Sequence, residues 1–262
     1  MNGTKMPLPA TDVILQTEDI GVEYDNGTVA LDGVSLDVPT GQLTALLGPS
    51  GCGKTTLLKV IAGLVTPNRG DVKVRGTKID GPGPDRALVF QDFALMPWAT
   101  VLDNVAFGLR ARGVPRKERH DTARHYIAEV GLSGFEDKYP HELSGGMRQR
   151  TGLARALSVQ ADILMMDEPF SAVDEQMRRK LQEDLLELLK VEKKTVIFVT
   201  HSIEEAVYLA DQVVILTGRP GKIANIVRPD IDRDGDVDVI RRQPHYMELV
   251  DEIWGSLRRY VE

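Results

Sequence analysis

The sequence has a single cysteine, Cys52, among its 262 residues, so no disulfide can form within the chain and nothing indicates an oxidising compartment. No apolar run approaches the roughly 20 residues that a bilayer-spanning helix needs. The first 15 residues hold no apolar stretch like that of a secretory signal. Acidic residues outnumber basic ones by 39 to 32, and the resulting charge of −7 gives no broad attraction to nucleic acid or anionic lipid. These absences predict an acidic, soluble, cytosolic protein without a membrane span of its own.

Short apolar runs alternate with helical patterns along most of the sequence. The apolar runs, each with the length of a buried strand, are Leu43–Leu47, Val72–Arg75, Ala87–Phe90, Ile163–Met166, Thr195–Thr200, Val213–Thr217 and Ile223–Val227. The segment from Phe93 to about Gln160 is helical in character, and Asp174–Lys194 carries an apolar stripe at helical spacing. Strands that alternate with helices predict an α/β fold.

Three local patterns predict details of turns and helix faces. Asn26-Gly27 lies between two strand-like segments and predicts a hairpin with a two-residue turn, because both residues tolerate positive φ. Ser202–Glu205 predicts a capping box at a helix start. A last helix is predicted from about Pro244. Its apolar face is expected to consist of Met247, Val250, Trp254, Leu257 and Val261.

A glycine-rich segment follows the run Leu43–Leu47 and fits the pattern G-x-x-x-x-G-K-[ST]. Its glycines let successive backbone N–H groups curl around a phosphate, while Lys54 can reach the β- and γ-phosphates and Thr55 can give a hydroxyl to Mg²⁺. A plain turn between strand and helix is the alternative, but a loop that follows a buried strand and opens a helix favours phosphate binding. The candidate nucleotide-binding residues here are Gly48, Pro49, Ser50, Gly51, Cys52, Gly53, Lys54, Thr55 and Thr56.

Two carboxylates follow directly after the apolar run Ile163–Met166. In a nucleotide-binding fold, Asp167 would enter the coordination sphere of Mg²⁺, and Glu168 would orient the attacking water. Two acidic residues that only enter solvent at a strand end are a common alternative. Taken alone the pair does not decide between them, and it is the glycine-rich loop earlier in the chain that favours catalysis.

A third segment, Leu143–Gln149, places Ser144, Gly145 and Gly146 at a predicted helix start. The free N–H groups and the positive end of the helix dipole at such a start can bind an anion. An N-cap serine followed by flexible glycines explains the same residues without any ligand. These residues alone favour that second explanation.

Together these segments resemble the nucleotide-binding subunit of an ATP-binding cassette (ABC) transporter. Their order and spacing are those of the family: Ser144 lies 23 residues before Asp167, and His201 follows the next apolar run. The resemblance covers residues from about 13 to 227. It implies an α/β, P-loop NTPase (RecA-like) core with an antiparallel β subdomain and an inserted α-helical subdomain. The implied boundaries are 1–92 and 160–227 for the core with its β subdomain, 93–159 for the helical subdomain with the signature motif, and 228–262 for a C-terminal linker and helix.

The resemblance also implies roles for single residues outside the glycine-rich loop. Tyr24 is similar to an aromatic residue that stacks on adenine, and Gln91 to a glutamine that touches Mg²⁺ and senses the membrane partner. His201 resembles a histidine that contacts the γ-phosphate. Asp174 lies in a segment similar to a loop that crosses the dimer interface, and Gln149 belongs to the signature segment. For Tyr24 a tyrosine that merely flanks the hairpin is the alternative, and stacking is favoured. Without the resemblance, Gln91 and His201 would be interpreted as ordinary strand-end residues.

The implied reaction is hydrolysis of ATP with the help of Mg²⁺. The catalytic residues implied are Glu168, His201 and Lys54. The residues implied to hold the metal are Thr55, Gln91 and Asp167. Because Cys52 lies inside the phosphate-binding segment, we expect its alkylation to block ATP binding and ATP to protect it.

The resemblance implies an assembly as well. Two copies of the chain would pair head to tail, with each ATP between Gly48–Thr55 of one copy and Ser144–Gly146 of the other. Two transmembrane permease subunits are the other expected partners, with a periplasmic or extracytoplasmic solute-binding protein acting indirectly and no nucleic acid. The chain would then work as a peripheral protein on the cytoplasmic face of the inner membrane.

Two residues depart from the family pattern. Thr151 stands where the family usually has an aliphatic residue, and Val173 stands where the interface loop usually has leucine. Both are packing positions. Every member of the hydrolytic set is therefore present in the sequence.

Two more segments, Leu95–Val105 and Leu216–Ile223, resemble the importer branch that handles nitrate, sulfonate, taurine and similar small solutes. The first lies where the family docks its membrane subunit. The expected apolar floor of that docking groove consists of Phe93, Met96, Pro97 and Trp98. Packing of these side chains between the lobes of the protein is an alternative that is compatible with docking.

Two rival functions remain. A non-transport ABC ATPase that acts on nucleic acid or ribosomes would usually have tandem cassettes, long coiled-coil or zinc insertions, or a basic surface, and the sequence has none of them. A non-catalytic nucleotide sensor would be expected to lack Glu168 or His201, and both are present. The sequence therefore favours the importer ATPase.

Overall fold

The computed structural model describes residues 12–171, 175–233 and 235–260. The strands are β1 (Val13–Glu23), β2 (Val29–Pro39), β3 (Leu43–Leu47), β4 (Arg69–Val74), β5 (Thr77–Lys78), β6 (Arg86–Val89), β7 (Ile163–Asp167), β8 (Thr195–Thr200), β9 (Gln212–Leu216) and β10 (Ile223–Val227). The helices are α1 (Lys54–Ile61), α2 (Val101–Val105), α3 (Phe107–Ala111), α4 (Arg116–Glu129), α5 (Gly145–Ser158), α6 (Glu175–Glu192), α7 (Ile203–Leu209), α8 (Val237–Arg241) and α9 (Pro244–Arg258). The alternation of strands and helices confirms the predicted α/β class.

The central sheet has the order β10-β9-β3-β8-β7-β6, in which β3 and β6 to β9 are parallel and β10 runs antiparallel on the edge. Every residue of β3, β7, β8 and β9 is buried, as expected for strands covered on both faces. Because parallel strands end at the same edge, the residues after β3, β7 and β8 come together there. That edge holds the candidate site.

Alternate residues of the buried strands contribute to two separate apolar clusters. On one face of the sheet, Leu46 belongs to a cluster with α1 and the strands β1 and β2. On the other face, Ala45 and Leu47 belong to a cluster with α2, α4, α5, α6, α7 and α9. The central sheet is therefore the middle of three layers. Successive side chains of its strands point alternately into the cluster on one face and the cluster on the other.

The smaller sheet is antiparallel, with the order β2-β1-β4-β5. The hairpin predicted between β1 and β2 is present, but its two-residue turn was wrong. Tyr24 N donates to Thr28 O at 3.0 Å, which leaves a three-residue loop of Asp25, Asn26 and Gly27. Only Gly27 of the three has a positive φ, +77°. A three-residue loop with one left-handed glycine is as compatible with the right-handed twist of the two strands as a two-residue turn is. Asn26 therefore does not need the left-handed conformation.

Helices α2 to α5 lie between β6 and β7 in the chain, as the helical character of that segment predicted. On α4, Ala123, Tyr126 and Ile127 are buried. The hydroxyl of Thr151, one of the two departures from the family pattern, donates to Met147 O at 2.8 Å inside α5, so the extra polar atom is satisfied within its own helix. The subdomain boundaries given above stay predictions.

The apolar face predicted for α9 was only partly right: Leu257 is buried as predicted and Val250 packs partly buried against the core. The helix buries Tyr246, Leu249, Ile253 and Leu257, while Met247 and Trp254 are exposed. Two apolar stripes run side by side on this helix, each at helical spacing, and periodicity alone does not say which one faces the protein. The Tyr246 hydroxyl donates to Glu204 O of α7 at 3.0 Å, which fixes the face that packs. Val261 lies outside the described residues.

Candidate functional site

The glycine-rich segment forms the loop between β3 and α1, at the carboxyl edge of the central sheet. Gly51 and Gly53 have φ values of +73° and +101°, and a Cβ on Gly53 would lie 2.8 Å from Ala30 O. Gly53 is the N-cap of α1 and has no side chain to cap it. The first N–H groups of α1 are therefore available to an anion, and the helix dipole favours a negative charge there.

Lys54, the first residue of α1, is buried with its ammonium turned back onto its own loop. Its Nζ donates to Gly48 O and to Pro49 O, both at 2.8 Å. The ammonium thereby pins the loop in shape and brings a positive charge to it. A phosphate in the loop would meet this charge in a partly desolvated setting, where it acts more strongly than in water.

Thr55 and Asp167 are brought together although 112 residues separate them in sequence. The Thr55 hydroxyl donates to Asp167 Oδ1 at 3.0 Å, and Asp167 is the last residue of β7. Burial raises the pKa of Asp167, the Thr55 hydrogen bond lowers it, and the neighbouring Glu168 charge raises it. One carboxylate and one hydroxyl beside a phosphate loop fit Mg²⁺, which prefers hard oxygen ligands and takes the rest from phosphates and water. In the described residues no group of three or more His, Cys, Asp or Glu side chains forms a metal cage of its own.

Glu168 follows β7 in a left-handed conformation, with φ +46°. Such a backbone costs a non-glycine residue on the order of 1–3 kcal/mol and is typical of functional sites. Its Oε2 lies 3.4 Å from Nδ1 of His201, which follows β8, and accepts a hydrogen bond from Nε2 of Gln91 at 3.3 Å. Gln91 and His201, which follow β6 and β8, thus both contact the carboxylate of Glu168, which follows the strand between them, β7.

His201 is followed by the start of α7, where the predicted capping box is only half formed. Ser202 caps the helix by accepting from Glu205 N at 3.2 Å. The Glu205 carboxylate instead accepts from the Thr200 hydroxyl, and Ser202 N donates to that same hydroxyl at 3.0 Å. The buried Thr200 hydroxyl needs an acceptor, and this takes Glu205 away from the helix start.

Nine of the predicted residues line one cavity of about 460 Å³. Its walls are formed by Tyr24, Thr28, Ala30, Ser50, Gly51, Gly53, Lys54, Thr55, Thr56, Glu168, His201 and Arg219. The Tyr24 ring is 42% exposed and its Oη is 2.9 Å from Thr56 Oγ1, so a ring face is open to a planar ligand. Thr28, Ala30 and Arg219 are the members of this wall that were not predicted as site residues. The segment Leu216–Ile223, named above as resembling the importer branch, contains Arg219 but gave no sign that this residue lies at the cavity.

The signature segment does not contribute to this cavity within one chain. Ser144 caps α5 by accepting from Met147 N at 3.3 Å, as the explanation without a ligand predicted. Gln149 is only 6% exposed and its Oε1 has no hydrogen-bond partner among the described residues, so it faces the interior rather than the surface. Gly145 and Gly146 open the helix beside Ser144. Asp174 and Val173 lie outside the described residues.

Phe93 was wrongly placed in the expected docking groove. It is buried in the helical layer, with its Cβ against Gly152, and Arg155 donates to its carbonyl. Trp98 is 76% exposed and Pro97 is exposed as well. The surface available to a partner is therefore formed by the residues after Phe93, because the backbone turn at Phe93 drives its ring inward.

Cys52 is buried inside the phosphate loop, with 1% of its surface exposed. Burial raises the pKa of its thiol, and the nearby Lys54 charge opposes this. The expectation that alkylation would probe ATP binding needs correction, because a reagent cannot reach a buried thiol that is also mostly protonated.

We therefore expect the native protein to react with a maleimide at pH 7.5 at least 100-fold more slowly than the protein in 6 M urea. Since Cys52 is the only cysteine, intact mass against time reports this one site. Fast modification of the native protein, with α1 still folded by circular dichroism, would contradict the burial of Cys52.

Comparison with known proteins gives three kinds of match. Residues 31–171 match the family model described as ABC transporter. The taurine import ATP-binding protein of Chromobacterium violaceum is 46% identical over 248 residues, covering 93% of this chain and 95% of that protein. The nitrate import ATP-binding protein of a Synechocystis strain is 42% identical over 235 residues, covering 88% of each. A dimeric ATP-binding cassette solved in a post-hydrolysis state with ADP and Pi is 28% identical, with a TM-score of 0.73, and covers 85% of this chain and all of that chain. The structural match confirms the predicted P-loop NTPase fold.

Proposed function

Because this chain belongs to the ABC transporter family and is an ATPase of it, we propose that it powers the uptake of a small solute such as nitrate, a sulfonate or taurine through a partner permease. The printed functions of the two import relatives support the solute class, and each of those relatives is covered over most of its length. Nothing in them supports the rival function on nucleic acid or ribosomes.

One observation carries the catalytic part of the proposal: Glu168 and His201 line the cavity that the phosphate loop opens into, and Gln91 donates to Glu168 from the end of β6. A phosphate held by the N–H groups of the loop would place its terminal atoms toward this group. A carboxylate in such a position can orient a water and accept its proton. Together with the loop, the three residues can therefore support hydrolysis of a bound phosphate and not only its binding.

In the proposed reaction, the loop and Lys54 hold the β- and γ-phosphates of ATP, and Tyr24 stacks on the adenine. Glu168 orients the attacking water and takes its proton, while His201 and Gln91 hold the carboxylate from either side. Lys54 and His201 stabilise the charge that develops on the γ-phosphate. Thr55, Asp167 and Gln91 would hold Mg²⁺, which neutralises the charge of the phosphates when it is bound.

The site is proposed to be completed by a second copy of the chain. Ser144 and the N-terminus of α5 lie apart from the cavity in one chain but present free N–H groups that suit a γ-phosphate. Head-to-tail pairing would bring them over the cavity of the partner. The dimeric form of the matched cassette supports this arrangement, and Gly145, Gly146, Gln149 and Asp174 stay proposed members of the composite site.

Attachment to a membrane is proposed to occur through the permease. In the part of the chain that the structure describes, no helix is long and apolar enough to cross a membrane. We place the docking surface at Trp98 and Pro97, and the chain on the cytoplasmic face of the inner membrane, with the solute-binding protein acting on the other side. The names of the import relatives support this placement.

Uptake measurements test the proposal. A strain that lacks this chain is expected to lose uptake of labelled taurine, an alkanesulfonate or nitrate by at least 10-fold, and wild-type protein should restore it. Trp98→Ala is expected to leave ATP hydrolysis by the purified protein unchanged and to lower uptake, because it removes exposed apolar surface from the proposed docking site. Unchanged uptake of all three solutes, with active ATPase, would overturn the importer function.

A further inference from the structure

The loop between β9 and β10, residues 217–222, packs directly against the phosphate loop. Gly221 N donates to Ala30 O at 2.9 Å, and Gly221 O accepts from Asp32 N at 3.1 Å. A Cβ on Gly221 would lie 2.1 Å from Cys52 O, so the two backbones touch with no room for a side chain. The position of the 217–222 loop is therefore fixed against the phosphate loop.

Arg219 uses this fixed position to reach into the cavity. Its Nε and Nη2 lie 3.3 and 3.2 Å from Gly51 O, to which both donate. Nη2 is also 3.2 Å from where a Cβ on Gly51 would stand. Arg219 lines the same cavity as Tyr24, Lys54 and Glu168. A guanidinium is charged at any relevant pH and has five N–H donors, so these two contacts leave most of its donors for other acceptors.

Carbonyl oxygens are unfavourable neighbours for a triphosphate, because both are negative. In the phosphate loop, the carbonyls of Gly48 and Pro49 are bonded to Lys54, and the carbonyl of Gly51 is bonded to Arg219. Each cation covers an oxygen that would otherwise repel phosphate. Each cation also fixes the orientation of the peptide groups whose carbonyls it binds. The backbone N–H groups of the loop are then free to point toward the ligand.

We propose that Arg219 is a positioning residue of the ATP site, which holds the Gly51 carbonyl out of the phosphate cradle and adds a positive charge beside the polyphosphate. Arg219 binds the carbonyl of Gly51, just as Lys54 binds the carbonyls of Gly48 and Pro49. The proposal rests on the proposed role of the phosphate loop in binding ATP. It adds a residue from the segment Leu216–Ile223, whose sequence indicated a transporter branch and no contact with ATP.

The test compares Arg219→Ala and Arg219→Lys with a control from the same loop. Lys222→Ala removes a charge that pairs with Asp32 at 2.7 Å rather than with the phosphate loop. Such an exposed ion pair contributes little, so the control should bind MgATP like the wild type. Titration calorimetry with MgATP, MgADP and AMP gives the affinities, and steady-state phosphate release gives KM and kcat.

For Arg219→Ala we expect the Kd of MgATP and MgADP to rise about 10-fold, as for loss of one charge-assisted hydrogen bond. The Kd of AMP, which lacks the phosphates held by the loop, should change less than twofold. KM should rise with kcat within twofold, and Arg219→Lys should recover part of the affinity. Equal weakening of all three nucleotides, or wild-type affinity for MgATP in a folded Arg219→Ala protein, would overturn the proposal.

Failure of this proposal and failure of the phosphate loop itself give different results. If the loop does not bind ATP, Lys54→Ala will bind MgATP like the wild type. If only the role of Arg219 is wrong, Lys54→Ala will lose binding while Arg219→Ala keeps it. Thermal melts of each variant establish that the compared proteins are folded.

Discussion

Replacing Glu168 by glutamine is expected to lower ATP turnover about 10²- to 10⁴-fold while leaving ATP binding intact, because the amide no longer accepts the proton of the attacking water. The side chains have the same shape, so the contacts with Gln91 and the strained backbone at Glu168 are retained. The phosphates and their N–H partners are unaffected. ATP should therefore stay bound without being cleaved.

A bound, uncleaved ATP should also hold two copies of the chain together. In the proposed composite site the γ-phosphate joins the phosphate loop of one copy to Ser144 of the other, and it is lost on hydrolysis. Glu168→Gln with MgATP should therefore elute as a dimer on size exclusion, with about one ATP per chain. The wild type should return to monomer as ATP is consumed.

The control for this experiment is Glu118→Gln, which changes an exposed carboxylate on α4 that lies outside the cavity. It should hydrolyse ATP at the wild-type rate. Phosphate release by Glu168→Gln at the wild-type rate would show that another group orients the water. If Glu168→Gln hydrolyses ATP slowly but stays monomeric with ATP bound, the catalytic role of Glu168 stands and the composite site is contradicted.

Much of the site could be predicted from the sequence, because its members follow strands in a fixed order. Lys54, Asp167 and His201 each come just after or at the end of a buried apolar run, and parallel strands place such residues at one edge. The spacing between motifs then identifies the family. These predictions depend on local pattern and chain order, which are visible in one sequence.

The parts that the sequence did not predict depend on tertiary packing. Which of two apolar stripes α9 buries is decided by the contact of Tyr246 with α7, and Phe93 turns inward because its backbone has a φ of +60°. The burial of Cys52 comes from Gly48 in its own loop and from Gly221 of the loop between β9 and β10, which packs against its carbonyl. Arg219 reaches the cavity only because β9 pairs with β3, and strand order is not written in any local pattern.

Lys54→Ala is expected to raise the Kd of MgATP by about 10²- to 10³-fold. Two of the three N–H donors of the ammonium go to carbonyls of the loop, and the third would give the phosphates one charge-assisted hydrogen bond, worth about 1.5–3 kcal/mol. The same substitution leaves the carbonyls of Gly48 and Pro49 without their donor. Those oxygens would then face the phosphates directly, so loss of the attractive charge and gain of a repulsive one act in the same direction.

The control for Lys54→Ala is Lys73→Ala, which removes a cation of the smaller sheet that pairs with Glu18 at 2.7 Å. Both variants lose one positive charge, so a general effect of net charge on ATP affinity would appear in both. Only Lys54→Ala should lose binding in calorimetry. Lys54→Arg separates the effect of the charge from that of the loop's shape. Its guanidinium keeps the positive charge but is longer and planar, so it cannot repeat both 2.8 Å hydrogen bonds to the loop carbonyls. We therefore expect this variant to bind MgATP more weakly than the wild type and more tightly than Lys54→Ala. Wild-type affinity in a folded Lys54→Ala protein would mean that the phosphates bind elsewhere, and the roles of Glu168, His201 and Arg219 would fail with it.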